Sequence, residues 1–268
     1  MLKMSFFVDF SNLLGSLSKL NIKIDDYEKF FSFLAEQAYQ SLKTCIIADC
    51  QAPQIMLNRV YWYAVGNSDY YNFEDEKTKR YFTEMFNENK EIKTAFISTL
   101  GKDNPGIPQP ELAKQATDAF IADRKTWYED RRGKVKGFCD FYDMIQRQCD
   151  YISISPCGYW KMDFISKDVD EKGVDTALAV DSVTMCDTFD IAIILSGDAD
   201  MIPSVNYLKR RGKYVGVMSF IKGSPPEKKG RQQSRRLSRA ADFDARVYET
   251  DLIRKDFLHA LKLGEREY

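Results

Sequence analysis

The chain has 268 residues, of which 44% are hydrophobic and 29% charged, and this composition excludes wholesale disorder. Its 39 Lys and Arg nearly balance its 40 Asp and Glu, so the net charge of -1 excludes a global attraction to nucleic acid or anionic membranes. The longest apolar runs are too short to cross a bilayer, and the first residues lack the apolar core of a signal peptide. We therefore expect a cytoplasmic protein with no membrane partner.

The metal-binding and general-base side chains of many enzymes are scarce in this chain. Six cysteines are scattered without a C-x-x-C pair, which disfavours a zinc site and favours reduced, mostly buried thiols. The single histidine, His259, lies near the end of the chain, so general base catalysis by histidine is also disfavoured. If the protein is an enzyme, carboxylates must carry the chemistry.

The first hundred residues alternate between strand and helix patterns. Residues 5–9 are typical of a buried strand, and Asp25 or Asp26 can cap a helix whose apolar residues recur from Tyr27 at helical spacing. Residues 59–65 predict a second strand, residues 76–89 a helix and residues 92–98 a third strand. The predicted order is βαβαβ.

A boundary follows at residues 101–110, where three prolines and two glycines break regular structure. Beyond it, residues 111–128 and 137–150 predict two helices joined by a charged turn at 131–134. We expect residues 101–157 to form a helical insertion that docks a protein partner or a second copy. A strand at 159–165 and a polar connection at 168–172 complete this part.

From Val174 onward the alternation resumes. The pattern predicts a helix at the start, a strand over 190–195, a helix over 199–211 and a strand over 214–220, with Gly212 in a left-handed helix cap. Residues 251–263 predict a closing amphipathic helix. Alternation of this kind is typical of a mostly parallel sheet with helices on both faces.

Carboxylates follow two of the buried strands. Asp9 ends the apolar run "SFFVD", and the run "IILSGDAD" passes through Ser-Gly to Asp198 and Asp200. Asp175 lies at the start of the helix that precedes this second strand. Because open α/β sheets bind ligands at the carboxyl ends of their strands, we expect these acids to share one pocket. Each could instead cap a helix, and the argument comes from their joint occurrence.

Converging carboxylates repel one another unless a cation neutralises them. Oxygen-only ligand sets suit Mg²⁺ or Mn²⁺, ions that activate water and stabilise a leaving oxygen in phosphodiester cleavage. We therefore interpret Asp9, Asp175, Asp198 and Asp200 as candidate metal ligands and catalytic residues.

The chain resembles the NYN domain family, a branch of the PIN-like nucleases that includes the LabA-like proteins. "FVDFSNL" is similar to its first motif, "KGVDTALAVD" to its second and "ILSGDADMIPSVNYLKRRGKYVGV" to its third, which is the most specific. "LSRAADF" is similar to a late element of the family. Phe10 stands where a small residue is usual, and residues 101–157 show no counterpart.

This resemblance implies an α/β fold, the PIN-like three-layer α/β/α sandwich, and Mg²⁺- or Mn²⁺-dependent cleavage of RNA. It makes the four aspartates the acidic set, with Asn12 and Ser196 as supporting substrate-binding groups. The nuclease domain would comprise residues 1–100 and 158–268, with 101–157 inserted. Asp181 lies six positions after Asp175, about 240° around a helix, so we expect it behind the site rather than in it.

Substrate binding should come from cations beside the acids, because phosphate contacts dominate nucleic-acid affinity. Seven basic residues and one acid lie between Lys222 and Arg239, and we expect this patch to hold the RNA backbone. The patch residues assigned to substrate are Lys228, Lys229, Arg231, Arg235 and Arg236. Lys172 is a further candidate for the scissile phosphate, and Tyr61 and Tyr63 offer stacking surface, while Trp62 is expected to pack in the core.

Three functions stay open at this point. The first is a metal-dependent ribonuclease, an endonuclease in our interpretation, with single-stranded DNA as an alternative substrate. The second is a non-catalytic PIN-like RNA-binding or adaptor protein. The third is phosphotransfer of the haloacid dehalogenase kind, which needs an acid two residues after the nucleophile, where this chain has Ser11.

Overall fold

The structure, a computed structural model, describes residues 1–45, 53–226, 234–253 and 255, together with the backbone of 258–260. Within these residues the chain forms two compact units. Unit 1 comprises Met1–Gly66, Cys139–Gly158 and the described residues from Lys172, and unit 2 comprises Asn67–Phe138 and Tyr159–Glu171.

The described residues form strands and helices in alternation. The strands are β1 (Leu2–Asp9), β2 (Ile22–Ile24), β3 (Ile55–Ser68), β4 (Ile152–Asp163), β5 (Asp168–Lys172), β6 (Ile191–Leu195), β7 (Tyr214–Ile221), β8 (Phe243–Tyr248) and β9 (Leu258–Ala260). The helices are α1 (Phe10–Lys19), α2 (Tyr27–Cys45), α3 (Glu76–Glu88), α4 (Lys90–Asp103), α5 (Gln109–Gln148), α6 (Val174–Thr184), α7 (Ile202–Arg210), α8 (Arg235–Ala240) and α9 (Glu249–Ile253).

A mostly parallel sheet has the strand order β5-β4-β3-β1-β6-β7-β8. Strand β1 pairs in parallel with both β3 and β6, β6 pairs in parallel with β7, and β7 with β8. A separate two-stranded antiparallel sheet joins β2 to β9. The predicted fold class, an α/β sandwich of the PIN-like kind, is confirmed.

Strands β1 and β6 are buried on both sides, which explains why their sequences are continuous apolar runs rather than alternating ones. Phe6 contacts Phe31 of α2 at 5.9 Å between ring centroids. Phe7, the next residue of the strand, points to the other face and contacts Phe189 at 5.3 Å. Helix α6 also packs against β1.

The order of the strands reverses at β1. From this strand the chain moves outward through β3 and β4, and it later returns to β6 on the other side and continues outward to β7 and β8. A reversal of this kind leaves a crevice at the carboxyl ends of the two central strands, where open α/β sheets bind ligands. The two strands at this crevice end at Asp9 and Leu195.

Unit 2 has its own core, and this core is aromatic. Phe82 contacts Phe164 at 4.7 Å and Phe73 at 4.8 Å, and Phe120 and Tyr128 of α5 belong to the same cluster. Such ring pairs stabilise a fold beyond the burial of their area, by about 0.5–1.5 kcal/mol each. The unit therefore holds itself together without needing a large sheet.

Several predicted elements are wrong. Residues 92–98 form part of α4 rather than a strand, because Ile92, Phe96 and Leu100 follow helical spacing and pack against the aromatic cluster. No charged turn interrupts residues 131–134, which continue α5, and 168–172 is strand β5 rather than a connection. One long helix was predicted over 251–263, but the described residues of this range form the end of the short helix α9 and the strand β9.

The compact units have boundaries other than the predicted ones. Unit 2 begins within β3, at Asn67, and ends its first segment within α5, at Phe138. The predicted insertion at 101–157 therefore does not coincide with either unit, and its role as a separate docking element stays a prediction. Among the described residues, no helix combines the length and apolarity needed to cross a lipid bilayer.

Candidate active site

Asp9 lies at the carboxyl end of β1 and is almost fully buried, with 3% of its surface exposed. It caps helix α1, and its Oδ1 accepts a hydrogen bond from the backbone N–H of Asn12 at 2.9 Å. The side-chain amide of Asn12 donates to the second oxygen, Oδ2. These two bonds fix the carboxylate at the crevice between β1 and β6.

Asn12 also connects this carboxylate to the second acidic motif. Its Oδ1 accepts a hydrogen bond from the backbone N–H of Gly197 at 3.3 Å. A single side chain in the first turn of α1 therefore joins the end of β1 to the loop after β6. Sequence reasoning assigned Asn12 a supporting role, and the structure places it between the two acidic loops.

The loop after β6 is held in shape by hydrogen bonds from its backbone to its own side chains. The backbone N–H of Asp198 donates to Ser196 Oγ at 3.2 Å, and that of Asp200 donates to Asp198 Oδ1 at 2.9 Å. Asp198 caps a 3₁₀ turn over Ala199–Met201 that leads into α7. Ser196 is buried, Asp198 is half-buried and Asp200 is exposed.

Asp175 enters the site from the first turn of α6. Gly173 precedes this helix with a φ of 91°, a left-handed conformation that favours glycine. A side chain at Gly158 would overlap the Val174 side chain, with a Cβ only 2.4 Å from Cγ2, so glycine there lets α6 begin close to β4. These glycines set the position of the helix that carries Asp175.

The four aspartates interact electrostatically. Partial loss of hydration raises the pKa of the Asp175 carboxyl, and repulsion from Asp9, Asp198 and Asp200 raises it further. The Asp175 side chain is exposed, and the repulsion requires only that the other three carboxylates be close to it. The structure thus brings the predicted acidic set together at one end of the sheet.

Asp181 lies elsewhere, beside Tyr63. Burial raises the pKa of the Tyr63 hydroxyl above its ordinary value, and the Asp181 carboxylate raises it further. That hydroxyl is buried and has no hydrogen-bond partner of standard geometry among the described residues. Asp181 does not contribute to the pKa of Asp175, in keeping with a place behind the acidic set.

Sequence reasoning offered Tyr63 as a stacking surface, but the side chain is 1% exposed, too buried to stack on a base. In the sheet Tyr63 is the register partner of Asp9, so it lies directly beside the first acid. The register of β1 and β3 shifts between Met4 and Ser5, so counting both strands from their first residues would have paired Asp9 with Trp62 instead. Trp62 is fully buried and contacts Phe31 at 5.8 Å, so its predicted place in the core is confirmed.

Part of the basic patch lies next to the acidic loop. The backbone N–H of Ser234, the residue before α8, donates to the Gly197 carbonyl at 3.3 Å. Helix α8 packs against the 3₁₀ turn through which Asp198 leads into α7, and it carries Arg235 and Arg236 with exposed side chains. Lys172 is exposed at the end of β5, two residues before α6 begins.

The remaining patch residues assigned to substrate, Lys228, Lys229 and Arg231, lie outside the described residues. A small cavity of about 20 Å³, enough for one water molecule, lies between α1, the end of β6 and β7. Its polar lining includes Asn12, Ser196 and Ser219. Ser219 was not predicted, because nothing in its local sequence marks it as part of a site.

The donor chemistry fits a hard divalent cation. Loss of hydration and the charges of Asp9, Asp198 and Asp200 raise the pKa of Asp175, and a cation would remove this repulsion. The four carboxylates would bind Mg²⁺ or Mn²⁺ through oxygen alone. Within the described ranges, no three His, Cys, Asp or Glu side chains already stand at ligand positions around one point. Binding an ion would therefore require aspartate rotamers to turn inward, starting from Asp9, which Asn12 holds in place.

One family model matches this chain, and its description is NYN domain. The match covers residues 111–246, just over half of the chain. It contains Asp175, Asp198, Asp200 and α8, and it also contains most of 101–157, the region for which the sequence motifs offered no counterpart. Asp9 lies outside the matched residues. Comparison with the curated proteins finds no match, and comparison with the solved structures finds none either.

Proposed function

Since the chain belongs to the NYN domain family, whose members are generally PIN-like nucleases, we propose that it is a divalent-metal-dependent ribonuclease that cleaves RNA internally. One observation carries the proposal. Loss of hydration raises the pKa of Asp175, and repulsion from Asp9, Asp198 and Asp200 raises it further, so four carboxylates from three separate stretches of chain share one electrostatic environment. Clustering like charges opposes folding, and a cation is the simplest reason to keep them together.

In this proposal the four aspartates hold the ion. Bound there, Mg²⁺ or Mn²⁺ would lower the pKa of an attacking water and neutralise charge on the phosphodiester oxygens. Asn12 orients Asp9 through two hydrogen bonds and sets its distance from the Asp198 loop through Gly197. Because Asp9 and Asn12 are already ordered, the reorganisation needed on binding the ion is limited to the other three aspartates.

The cations beside the acids would bind the substrate. Arg235 and Arg236 project from α8, whose preceding residue is hydrogen-bonded to the acidic loop, so their guanidinium groups can reach phosphates that flank the scissile bond. Their two positive charges also offset the repulsion between an RNA backbone and the aspartates. Lys172 lies three residues before Asp175, and it would contact the RNA from the motif that carries this acid.

Cleavage of an unstructured RNA by the purified protein in Mg²⁺ or Mn²⁺ tests the proposal. Wild-type protein should cut internally, and Asp198→Asn should reduce the rate by on the order of a thousandfold, since a metal ligand supplies several kcal/mol of transition-state stabilisation. Asp187→Asn is the matched control, because Asp187 pairs with Arg211 at 3.4 Å outside the acidic set. The control should cut at the wild-type rate.

Three outcomes would contradict parts of the proposal. Equal cleavage by Asp198→Asn and wild type would reject the assigned site. RNA binding without cleavage under any divalent ion would favour the non-catalytic alternative. Faster cleavage of single-stranded DNA than of RNA would change the substrate. Docking through residues 101–157 and a cytoplasmic location stay predictions.

A further inference from the structure

Tyr70 in unit 2 is an aromatic residue whose side chain does not pack in the core. Its side chain is 74% exposed, whereas its neighbour Tyr71 packs edge-on against Phe164 at 4.9 Å and Phe73 is buried in the same cluster. A single exposed ring is common on protein surfaces and needs no explanation by itself. The surroundings of this ring are unusual.

The backbone beneath Tyr70 is held firmly in place. The hydroxyl of Tyr128, in α5, accepts a hydrogen bond from the Tyr71 N–H at 2.8 Å and donates to the Asp69 carbonyl at 3.1 Å. The carboxylate of Asp69 in turn accepts a bond from the Met162 N–H at 3.0 Å. A ring on such a backbone loses little conformational freedom when a ligand stacks on it.

A guanidinium group stands beside this ring. Arg132 lies over the Tyr70 ring at 5.4 Å and over the Tyr128 ring at 5.8 Å. It has no carboxylate partner among the described residues, although Glu74 and Glu129 line the same groove. Glu74 is instead engaged by Lys125 at 2.7 Å. Arg132 therefore keeps its charge available while the two rings orient it.

The rings and cations line one open groove. Its volume is about 300 Å³, at the lower end of the range for small-ligand sites, and its walls include Tyr70, Tyr128, Lys125 and Arg132. The segment 124–136 of α5 that contributes these cations carries six basic residues and two acids. An exposed ring next to an oriented guanidinium is the combination that holds a nucleobase and its phosphate.

We propose that this groove in unit 2 binds a nucleotide of single-stranded RNA, with the base stacked on Tyr70 and its phosphate on Arg132. The site is distinct from the acidic set, and its assignment to RNA rests on the proposed function. An acidic peptide is the less favoured occupant, because its carboxylates have no flat ring to stack on the exposed face of Tyr70, whereas a nucleobase has one.

Fluorescence anisotropy with a short unstructured oligoribonucleotide, in EDTA to prevent cleavage, tests the inference on the full chain. Tyr70→Ala should raise the Kd about tenfold, the size of a lost stacking contact, and Tyr70→Phe should stay within about twofold of wild type. Arg132→Gln should weaken binding and lower the slope of log Kd against log salt by about one. Tyr214→Ala, an exposed tyrosine at the start of β7, should bind as wild type does.

Equal Kd values for wild type and Tyr70→Ala would overturn the inference, as would the absence of RNA binding by wild type. Tyr70-dependent binding of a glutamate-rich peptide in place of RNA would overturn the assignment to RNA. These results are separate from those on the proposed function. A protein that binds RNA through Tyr70 but cuts nothing would fail as a nuclease and keep this site, and one that cuts RNA with no effect of Tyr70→Ala would do the reverse.

Discussion

The acidic residues of unit 1 have different partners at the two ends of the parallel strands, which we call the amino edge and the carboxyl edge of the sheet. At the amino edge, Asp242 pairs with Lys209 at 2.9 Å and accepts a hydrogen bond from the Val215 N–H at 2.8 Å. Asp190, before β6, accepts the Lys3 N–H at 2.9 Å. At the carboxyl edge, Asp175, Asp198 and Asp200 have no Lys or Arg partner among the described residues, and Asp175 is repelled by the other acids instead.

This difference separates carboxylates that stabilise the fold from carboxylates that oppose it. A charge paired with a cation and a backbone N–H contributes to stability, whereas clustered like charges reduce it. Proteins commonly accept such a loss where function requires it. The comparison therefore predicts that substitutions at the two edges change activity and stability in opposite ways.

Among the residues that support the aspartates, the largest effect is expected for Asn12→Ala. This change removes the amide that holds Asp9 and the acceptor for the Gly197 N–H, so the two acidic loops lose their connection. Groups that orient metal ligands without binding the metal typically contribute about 10–100-fold to metal affinity or activity. We therefore expect the rate of RNA cleavage to fall by about 10–100-fold. Single-turnover cleavage at saturating Mn²⁺ measures it.

Asn58→Ala is the matched control for Asn12→Ala. The Asn58 amide donates to Ser5 Oγ at 3.1 Å and to the Thr188 carbonyl at 3.4 Å, away from the acids. It should lower stability with little change in the cleavage rate. If both variants cut at the wild-type rate per folded molecule, Asn12 does not position the site.

A smaller effect of the opposite kind is expected for Asp242→Asn. The substitution removes the charged pair with Lys209, so the free energy of unfolding should fall by about 1–2 kcal/mol. The cleavage rate per folded molecule should not change, because Asp242 begins β8 at the amino edge. Urea denaturation and a cleavage assay on the same preparation measure both quantities, and loss of activity without loss of stability would contradict the comparison.

The smallest effect is expected for the stability of Asp175→Asn in the absence of divalent ions. The folded-state pKa of Asp175 is raised above the ordinary value of 3.8, so its ionisation disfavours the folded state. The stability that the protonated Asp175 carboxyl contributes is fully present below the pKa of the unfolded state. It is lost as the pH rises through the higher pKa of the folded state. The variant escapes this loss and should be more stable at neutral pH, by about 0.5 kcal/mol, since the site is exposed.

Thermal unfolding as a function of pH checks this sign. The advantage of Asp175→Asn should disappear below about pH 3.8, where the wild-type carboxyl is protonated. Added Mn²⁺ should raise the Tm of wild type more than that of the variant, because the ion binds the folded wild type more tightly. A variant less stable than wild type at neutral pH without ions would contradict the proposed repulsion.

The buried strands and the helices α6 and α7 could be predicted from the sequence, whereas α1 and α8 were not predicted. Apolar runs gave β1, β6 and β7 within a few residues, and Gly212 adopts the expected left-handed conformation, with φ 77°. The convergence of the acids also followed from the sequence, since parallel strands end at the same edge. The role of Asn12 between two loops 185 residues apart could not be read from local pattern.

The errors lie mainly in unit 2, where local signals conflicted with packing. The β-branched residues of 92–98 suggested a strand, but their apolar neighbours pack as a helix on the aromatic cluster. The Arg-Arg-Gly-Lys sequence at 131–134 suggested a turn, but Arg131 stacks on Trp127 and Arg132 on Tyr128, which hold the helix through this point. Helix α1 was missed because Asp9 was interpreted as a site residue, although it also caps that helix.

A crystal soaked in Mn²⁺ and examined for anomalous scattering tests the central claim most directly. We predict a peak at the crevice between β1 and β6, about 2 Å from carboxylate oxygens of Asp9 and Asp198, and its loss in Asp198→Asn. The absence of a peak there in crystals that bind Mn²⁺ elsewhere would contradict the account. So would carboxylates that keep facing apart with the ion present.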